Sequence, residues 1–147
     1  LLAAEAGEEK EKDPGFLKGR RIMLVEDNEL NREIAYELLS ESGLIVDVAE
    51  NGQEAIKLLG IRPENYYELI FMDIQMPVMN GYEATANIRA GESDYWKTIP
   101  VIAMTANVFQ EDESRAAECG MSDYVTKPID MNVIYSVLEK WLRGQKG

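Results

Sequence analysis

Three short runs fix most of what this chain can become: Ile22-Met23-Leu24-Val25, Leu69-Ile70-Phe71-Met72 and Val101-Ile102-Ala103-Met104. Each is apolar at consecutive positions, too short for a buried helix and bounded by turn residues. That suits a strand covered on both faces. The segments between them read as helices. Leu30, Ile34, Leu38 and Leu39 lie on one face at helical spacing, and Gly43 stops that helix. After a second strand, Leu44 to Ala49, the Asn51-Gly52 turn opens a short helix carrying Ala55, Ile56 and Leu59, with Pro63 in the connection that follows. A third helix runs from Gly81 to about Ala90, and a loop with Gly91 and Pro100 leads to the fourth strand. A fourth helix spans about Val108 to Cys119 and is stopped by Gly120. Tyr124-Val125-Thr126 forms a short fifth strand, and the last helix carries Ile134, Val137, Leu138, Trp141 and Leu142 on one stripe.

Five strands alternating with five helices imply a parallel sheet with right-handed crossovers and helices on both faces. The expected fold is α/β, a flavodoxin-like (βα)5 doubly wound sandwich of strand order 2-1-3-4-5. Its switch point, where ligands bind beyond the carboxyl ends of the strands, lies between strands one and three. Those strands end in Glu26-Asp27 and in Asp73. Asp73 comes too early to be a helix cap in the following turn, and Pro77 and Gly81 then break any regular ladder. Fold and carboxylates point to one place.

Composition narrows the chemistry. The chain of 147 residues has room for one domain plus an appendage. Its net charge of −12 argues against this fragment holding nucleic acid, since phosphate backbones need clustered Lys and Arg. Histidine is absent, which excludes a His-based triad, His metal ligands and a phosphohistidine within these residues. Cys119 is the only cysteine, so no internal disulfide forms and a reducing, cytoplasmic setting is expected. No apolar stretch approaches the roughly 20 residues of a membrane helix. Residues 1–18, with Glu5, Glu8, Glu9, Glu11 and Asp13 among Lys10, Lys12 and Lys18, read as an acidic solvated linker; 19–143 is the domain and 144–147 a tail. The chain does not begin with Met, which suits a piece of a larger or processed protein.

Three carboxylates at one sheet edge repel one another unless something compensates. A divalent cation is the economical answer, and an all-oxygen site suits Mg²⁺, with Mn²⁺ as the alternative. Strands four and five border the same crevice and add Thr105, followed by Ala106, and Lys127. A hydroxyl, an ammonium and a hard cation around one carboxylate make a cradle for a transferred phosphoryl group. Asp73 is then the nucleophile, since a carboxylate can form an acyl-phosphate. Gln75 and Asn107 follow the acceptor and the threonine by two positions each, so their side chains border the phosphoryl group and could tune its hydrolysis.

The pattern closely resembles the receiver domain of two-component signalling proteins over about residues 19 to 143. Its marks are Val25-Glu26-Asp27-Asn28, Met72-Asp73-Ile74-Gln75-Met76-Pro77, Met79-Asn80-Gly81, Met104-Thr105-Ala106 and Lys127-Pro128. Each is weak alone; together, in order and at the right strand ends, they are specific. The family shares the strand order given above, so that expectation is partly inherited from the resemblance. It implies that Asp73 accepts phosphate from the phosphohistidine of a histidine kinase or histidine phosphotransfer protein. Asp27, Asp73 and the backbone carbonyl of Gln75 would ligate Mg²⁺. Glu26 stands where the family often has a second aspartate, and its longer side chain suits a contact through water. Lys127 would pair with the phosphoryl group, and Pro128 suggests a cis bond that aims the lysine inward. Tyr124 falls where the family keeps its switch aromatic. Phosphate would draw the Thr105 hydroxyl inward, the Tyr124 ring would turn into the vacated space, and the surface of helix four, strand five and helix five would change. Receivers often pair through that face, so a homodimer is also expected. Helix four, with Gln110-Glu111-Asp112-Glu113-Ser114-Arg115 and few large apolar residues, reads as loosely anchored.

The function expected first is a phosphoacceptor domain, the C-terminal receiver of a hybrid sensor kinase, because a charged linker precedes the domain and these residues leave no room for an output domain after the last helix. A stand-alone regulator and a degenerate receiver used only as an interaction module are the alternatives. A phosphatase of the haloacid dehalogenase type also places an Asp nucleophile after a strand, but it needs a second Asp two residues on, where this chain has Gln75. Tyr95 and Trp96 remain open between local packing and an exposed partner contact, the methionines read as core and loop filler, and Cys119 as an inert helix residue.

Overall fold

The computed structural model describes residues 15–76, 79–106 and 113–143. It contains β1 (Arg21–Val25), α1 (Glu29–Glu41), β2 (Ile45–Ala49), α2 (Gly52–Ile61), β3 (Leu69–Asp73), α3 (Gly81–Arg89), β4 (Val101–Thr105), α4 (Glu113–Cys119), β5 (Asp123–Thr126) and α5 (Met131–Leu138). A short connecting helix, Asp94–Thr98, precedes β4, and a π-helical turn, Glu139–Arg143, extends α5. Every strand pairing is parallel, in the order β2-β1-β3-β4-β5. The flavodoxin-like order expected from the sequence is the order found.

The unbroken apolar runs are explained by two cores. Ile22, Leu24, Leu69, Phe71, Ile102 and Met104 pack on one face of the sheet with Ala35 and Leu39 of α1 and Ile134, Val137 and Leu138 of α5. Met23, Val25, Ile70, Met72 and Val101 pack on the other with Ala55 and Leu59 of α2 and Ala84 and Ile88 of α3. Successive strand side chains point to opposite faces, so only a strand covered twice needs an apolar residue at every position. β2 lies at the sheet edge and is less completely covered, with Ile45 and Val48, on opposite faces, both exposed.

Local chemistry starts and stops the helices where the sequence suggests. Asn28, Asn51 and Asn80 each cap a helix by accepting a backbone N–H, and Asn80 with Glu83 forms a reciprocal capping box. Gly43 and Gly120 follow α1 and α4 at φ +102°, the left-handed conformation that favours glycine.

Three expectations need correction or sharpening. Of the expected α1 face Leu30, Ile34, Leu38 and Leu39, Leu39 is fully buried but Leu30 and Ile34 are 65% and 50% exposed, and Ala35 joins Leu39 on the inward stripe. Phe16 and Leu17, read from sequence as linker, are buried in the α1/α5 core. The Phe16 ring lies between the Arg20 and Arg143 guanidiniums, at 4.3 and 4.1 Å, and edge-on to Tyr135. The loop holding Tyr95 and Trp96 is helical over Asp94–Thr98. There the buried Tyr95 hydroxyl donates to the Tyr67 carbonyl and accepts from the Tyr67 N–H, both at 2.8 Å, which settles Tyr95 as local packing. Among the described residues no helix is long and apolar enough to cross a membrane.

Candidate functional site

Strand register assembles the site. Val25 of β1 pairs with Met72 of β3, so the next residues, Glu26 and Asp73, leave the sheet side by side. Thr105 ends β4 opposite Thr126 of β5, and the Lys127 N–H then donates to the Thr105 carbonyl at 2.8 Å. Four strands therefore deliver Glu26, Asp73, Thr105 and Lys127 to one crevice beyond their carboxyl ends, the position where open α/β sheets bind ligands. Asp73 is 4% exposed, Glu26 3% and Thr105 3%. The Lys127-Pro128 bond is cis.

Lys127 is the cationic centre of this group. Its Nζ lies 2.9 Å from Glu26 Oε1 and 3.2 Å from Asp73 Oδ1. The other Glu26 oxygen accepts the Asn28 N–H at 3.2 Å, so both oxygens of Glu26 are engaged. One ligand atom from each of Glu26, Asp27 and Asp73 lies within 4.8 Å of the others. Burial, and after it the Glu26 charge, pushes the Asp73 carboxyl up to about 7 against the opposing pull of Lys127. Burial would lower the Lys127 ammonium, but the hydrogen bond it donates to Glu26 and the charges of Asp73 and Glu26 together raise it. A single ammonium does not balance three acids. A hard cation with oxygen ligands fits this donor set, because its charge opposes both the burial and the Glu26 repulsion that raise the Asp73 carboxyl.

The loop after β3 is held by a close backbone approach. The Gly81 N–H donates to the Ile74 carbonyl at 2.8 Å. A Cβ on Gly81 would overlap the Asp73 carbonyl oxygen and come within 2.9 Å of Ile74 Cα. Only glycine lets α3 begin there, so Gly81 sets where Asp73 sits.

The remaining predicted residues fall around this centre. Gln75 and Ala106 are exposed at the ends of β3 and β4. Tyr124, in β5 opposite Ala103, is half-buried against the cluster of Ile74, Tyr82 and Ala103, which also takes in Ala116 and Cys119 of α4. None of the side chains described in α4 is fully buried, in keeping with a loosely anchored helix. Asn107, Pro77 and the first part of the expected fourth helix lie outside the described residues.

One residue of the site was not singled out from sequence. Arg32 of α1 reaches back to the β1–α1 turn, where its NH1 donates to the Glu26 carbonyl at 3.0 Å and the Asp27 carbonyl at 3.4 Å. Its signal was an arginine three residues before Ala35 and seven before Leu39, on the inward stripe of its helix.

The model of the response regulator receiver domain matches residues 22–139. The chain is 35% identical over 143 residues to hybrid signal transduction histidine kinase L of Dictyostelium discoideum, a match covering 97% of this chain and 8% of that protein. It is 37% identical over 147 residues to histidine kinase 3 of Arabidopsis thaliana, covering 88% of this chain and 14% of that protein. The chain thus spans a small part of the curated relatives it matches. Among solved structures, the receiver domain of sensor histidine kinase PA1611 from Pseudomonas aeruginosa, with a magnesium ion in its active site cleft, is 34% identical with a TM-score of 0.74, covering 84% of this chain and 97% of that one. A chain of the co-crystal structure of the Saccharomyces cerevisiae histidine phosphotransfer protein Ypd1 with the receiver domain of Ssk1 is 30% identical with a TM-score of 0.74, covering 88% of this chain and 92% of that one.

Proposed function

This chain belongs to the response regulator receiver domain family, and we propose that within it Asp73 accepts a phosphoryl group from the phosphohistidine of a partner. The observation that carries this is the Lys127 ammonium held between the buried carboxylates of Glu26 and Asp73, with Asp27 beside them. An Asp73 oxygen attacks phosphorus, the P–N bond breaks and its electron pair returns to the imidazole ring of the donor. Asp27, Asp73 and the Gln75 carbonyl, with Glu26 through water, would hold a Mg²⁺ ion, which would supply charge neutralisation for the phosphoryl oxygens. Lys127 moves part of its contact from Glu26 to the new phosphoryl group. Thr105, with Ala106 beside it, follows the same group inward, and Tyr124 turns into the space vacated. Gln75 and Asn107 set how readily water reaches the acyl-phosphate. The face of α4, β5 and α5 changes as a result and is the surface for output or pairing.

No donor histidine lies within these residues; a histidine kinase or a histidine phosphotransfer protein is the donor this reading calls for. The exposed Leu30 and Ile34, on the helix that starts beside the carboxylates, give such a donor an apolar foothold. The similarity to parts of hybrid kinases supports a phosphorelay within or downstream of such a protein. The test is intact mass after incubation with a small acyl-phosphate and Mg²⁺, for wild type and Asp73→Asn. A phosphoryl adduct lost in the variant and on chelation is the expected result. A wild-type chain that takes neither the phosphoryl group nor beryllofluoride would overturn the proposal.

A further inference from the structure

We infer that Arg32 is a positioning residue for the cation site: its guanidinium pins the β1–α1 turn so that the Asp27 carboxylate faces Asp73. This rests on the Mg²⁺-binding reading of Glu26, Asp27 and Asp73. The β1–α1 turn has one residue, Asp27, between a buried acid and the helix cap Asn28, so nothing in the sheet ladder fixes its orientation. The Glu26 N–H is the last link to β2, donating to the Ala49 carbonyl at 3.1 Å. Beyond it the turn is held from inside. Arg32 NH1 bridges the carbonyls of Glu26 and Asp27, while the Arg32 backbone N–H closes the first helical turn on the Asn28 carbonyl at 2.8 Å.

The Arg32 side chain is 15% exposed, and its NH2 lies 3.8 Å from the outlying Glu50 carboxylate. Arg32 therefore spends its best hydrogen bonds on two backbone carbonyls and not on the acids that form the cation site. Both contacts come from NH1, at the end of a stem one bond longer than a lysine's, and the guanidinium plane fixes the directions of its two N–H bonds; a lysine ammonium at this position stops short of that point and is not held in a plane. Those carbonyls would otherwise add two more oxygen dipoles to an already negative cluster, free to swing with the turn.

Two roles for Arg32 differ in sign. As a bare positive charge near the site it repels Mg²⁺, and removing it would tighten binding. As the pin that orients Asp27 it favours Mg²⁺, and removing it loosens binding. Groups that orient metal ligands without touching the metal are commonly worth roughly tenfold or more in affinity.

The experiment is calorimetric titration of MgCl₂ into the metal-free chain for wild type, Arg32→Gln and Arg32→Lys, with far-UV circular dichroism confirming that each is folded at the titration temperature. Arg32→Lys keeps the charge and is the milder change if Arg32→Gln folds poorly. The expected result is a Mg²⁺ Kd weakened about tenfold in both variants. A folded variant of either kind that binds Mg²⁺ as tightly as wild type, or more tightly, overturns the inference. A wild-type chain that binds no Mg²⁺ overturns the reading beneath it, which is a different outcome.

Discussion

Replacing Lys127 with Met removes the ammonium held between two buried acids, and its cost is set by geometry. The ammonium lies 2.9 and 3.2 Å from Glu26 and Asp73. At an effective dielectric of about 20, each contact is worth roughly 5 kcal/mol before desolvation is subtracted. Removing one partner of a buried pair typically costs about 3–5 kcal/mol. The Lys127 side chain is 21% exposed, so the lower end applies where both acids are ionised. Protonation offers an escape, and that gives the prediction its pH dependence. The Asp73 carboxyl is raised to about 7 in the folded chain by burial and by Glu26, and Lys127 is among the groups that hold it down. A raised folded-state value means stability that is full below the unfolded value and is lost as pH rises through the folded one. Wild type completes this loss near pH 7. The variant, with Asp73 raised further, continues to lose stability above it, by about 1.4 kcal/mol per pH unit. We expect Lys127→Met to be about 1 kcal/mol less stable than wild type at pH 6 and about 3 kcal/mol at pH 9, in chelator. For a domain of this size the latter is a Tm difference of about 12 °C. Thermal unfolding followed by circular dichroism at the two pH values measures it. A difference that does not change with pH, or a variant more stable than wild type at pH 9, would refute the electrostatic account of this site.

Three further outcomes follow from other parts of the structure. Gly81→Ala drives a methyl group into the Asp73 carbonyl and Ile74 Cα, so it should lower stability by about 2–3 kcal/mol and reduce phosphoryl uptake; denaturant titration with intact-mass analysis checks both, and unchanged values would mean that the loop yields freely. Tyr95→Phe leaves the Tyr67 N–H and carbonyl without their buried partner, so a loss of about 1–3 kcal/mol is expected in urea unfolding. Hydrogen exchange should show weaker protection in α4, which has no fully buried side chain among those described, than in α1, which buries Ala35 and Leu39. Equal protection would contradict a mobile α4.

What the sequence determined by itself was whatever is written in neighbouring residues or in period. Consecutive apolar positions told that the strands are covered on both faces, because a strand with a wet face must alternate. The Asn51-Gly52 turn marked one helix start and Gly43 and Gly120 marked two stops, since turn and left-handed residues act within a few positions; the caps at Asn28 and Asn80 came only with the structure. From strand ends alone, Glu26, Asp27 and Asp73 could be placed together, because a doubly wound sheet brings the ends of β1 and β3 to one crevice.

Tertiary structure decided what depends on how elements are rotated and seated. In α1 the spacing of Leu30, Ile34 and Leu38 is as helical as that of Arg32, Ala35 and Leu39. Packing on the sheet buries the second row, leaving Leu30 and Ile34 in water and sending Arg32 to the carbonyls of the acidic turn. Phe16 and Leu17 stand in a polar stretch with no period to reveal them, and only the arrival of Arg143 and Tyr135 from the far end of the chain makes them core. Glu26 could be read as an acid at a strand end, but not as the residue that shares Lys127 with Asp73. Periodicity reports that a helix has an apolar face; which face turns inward is a sum over contacts with residues distant in sequence.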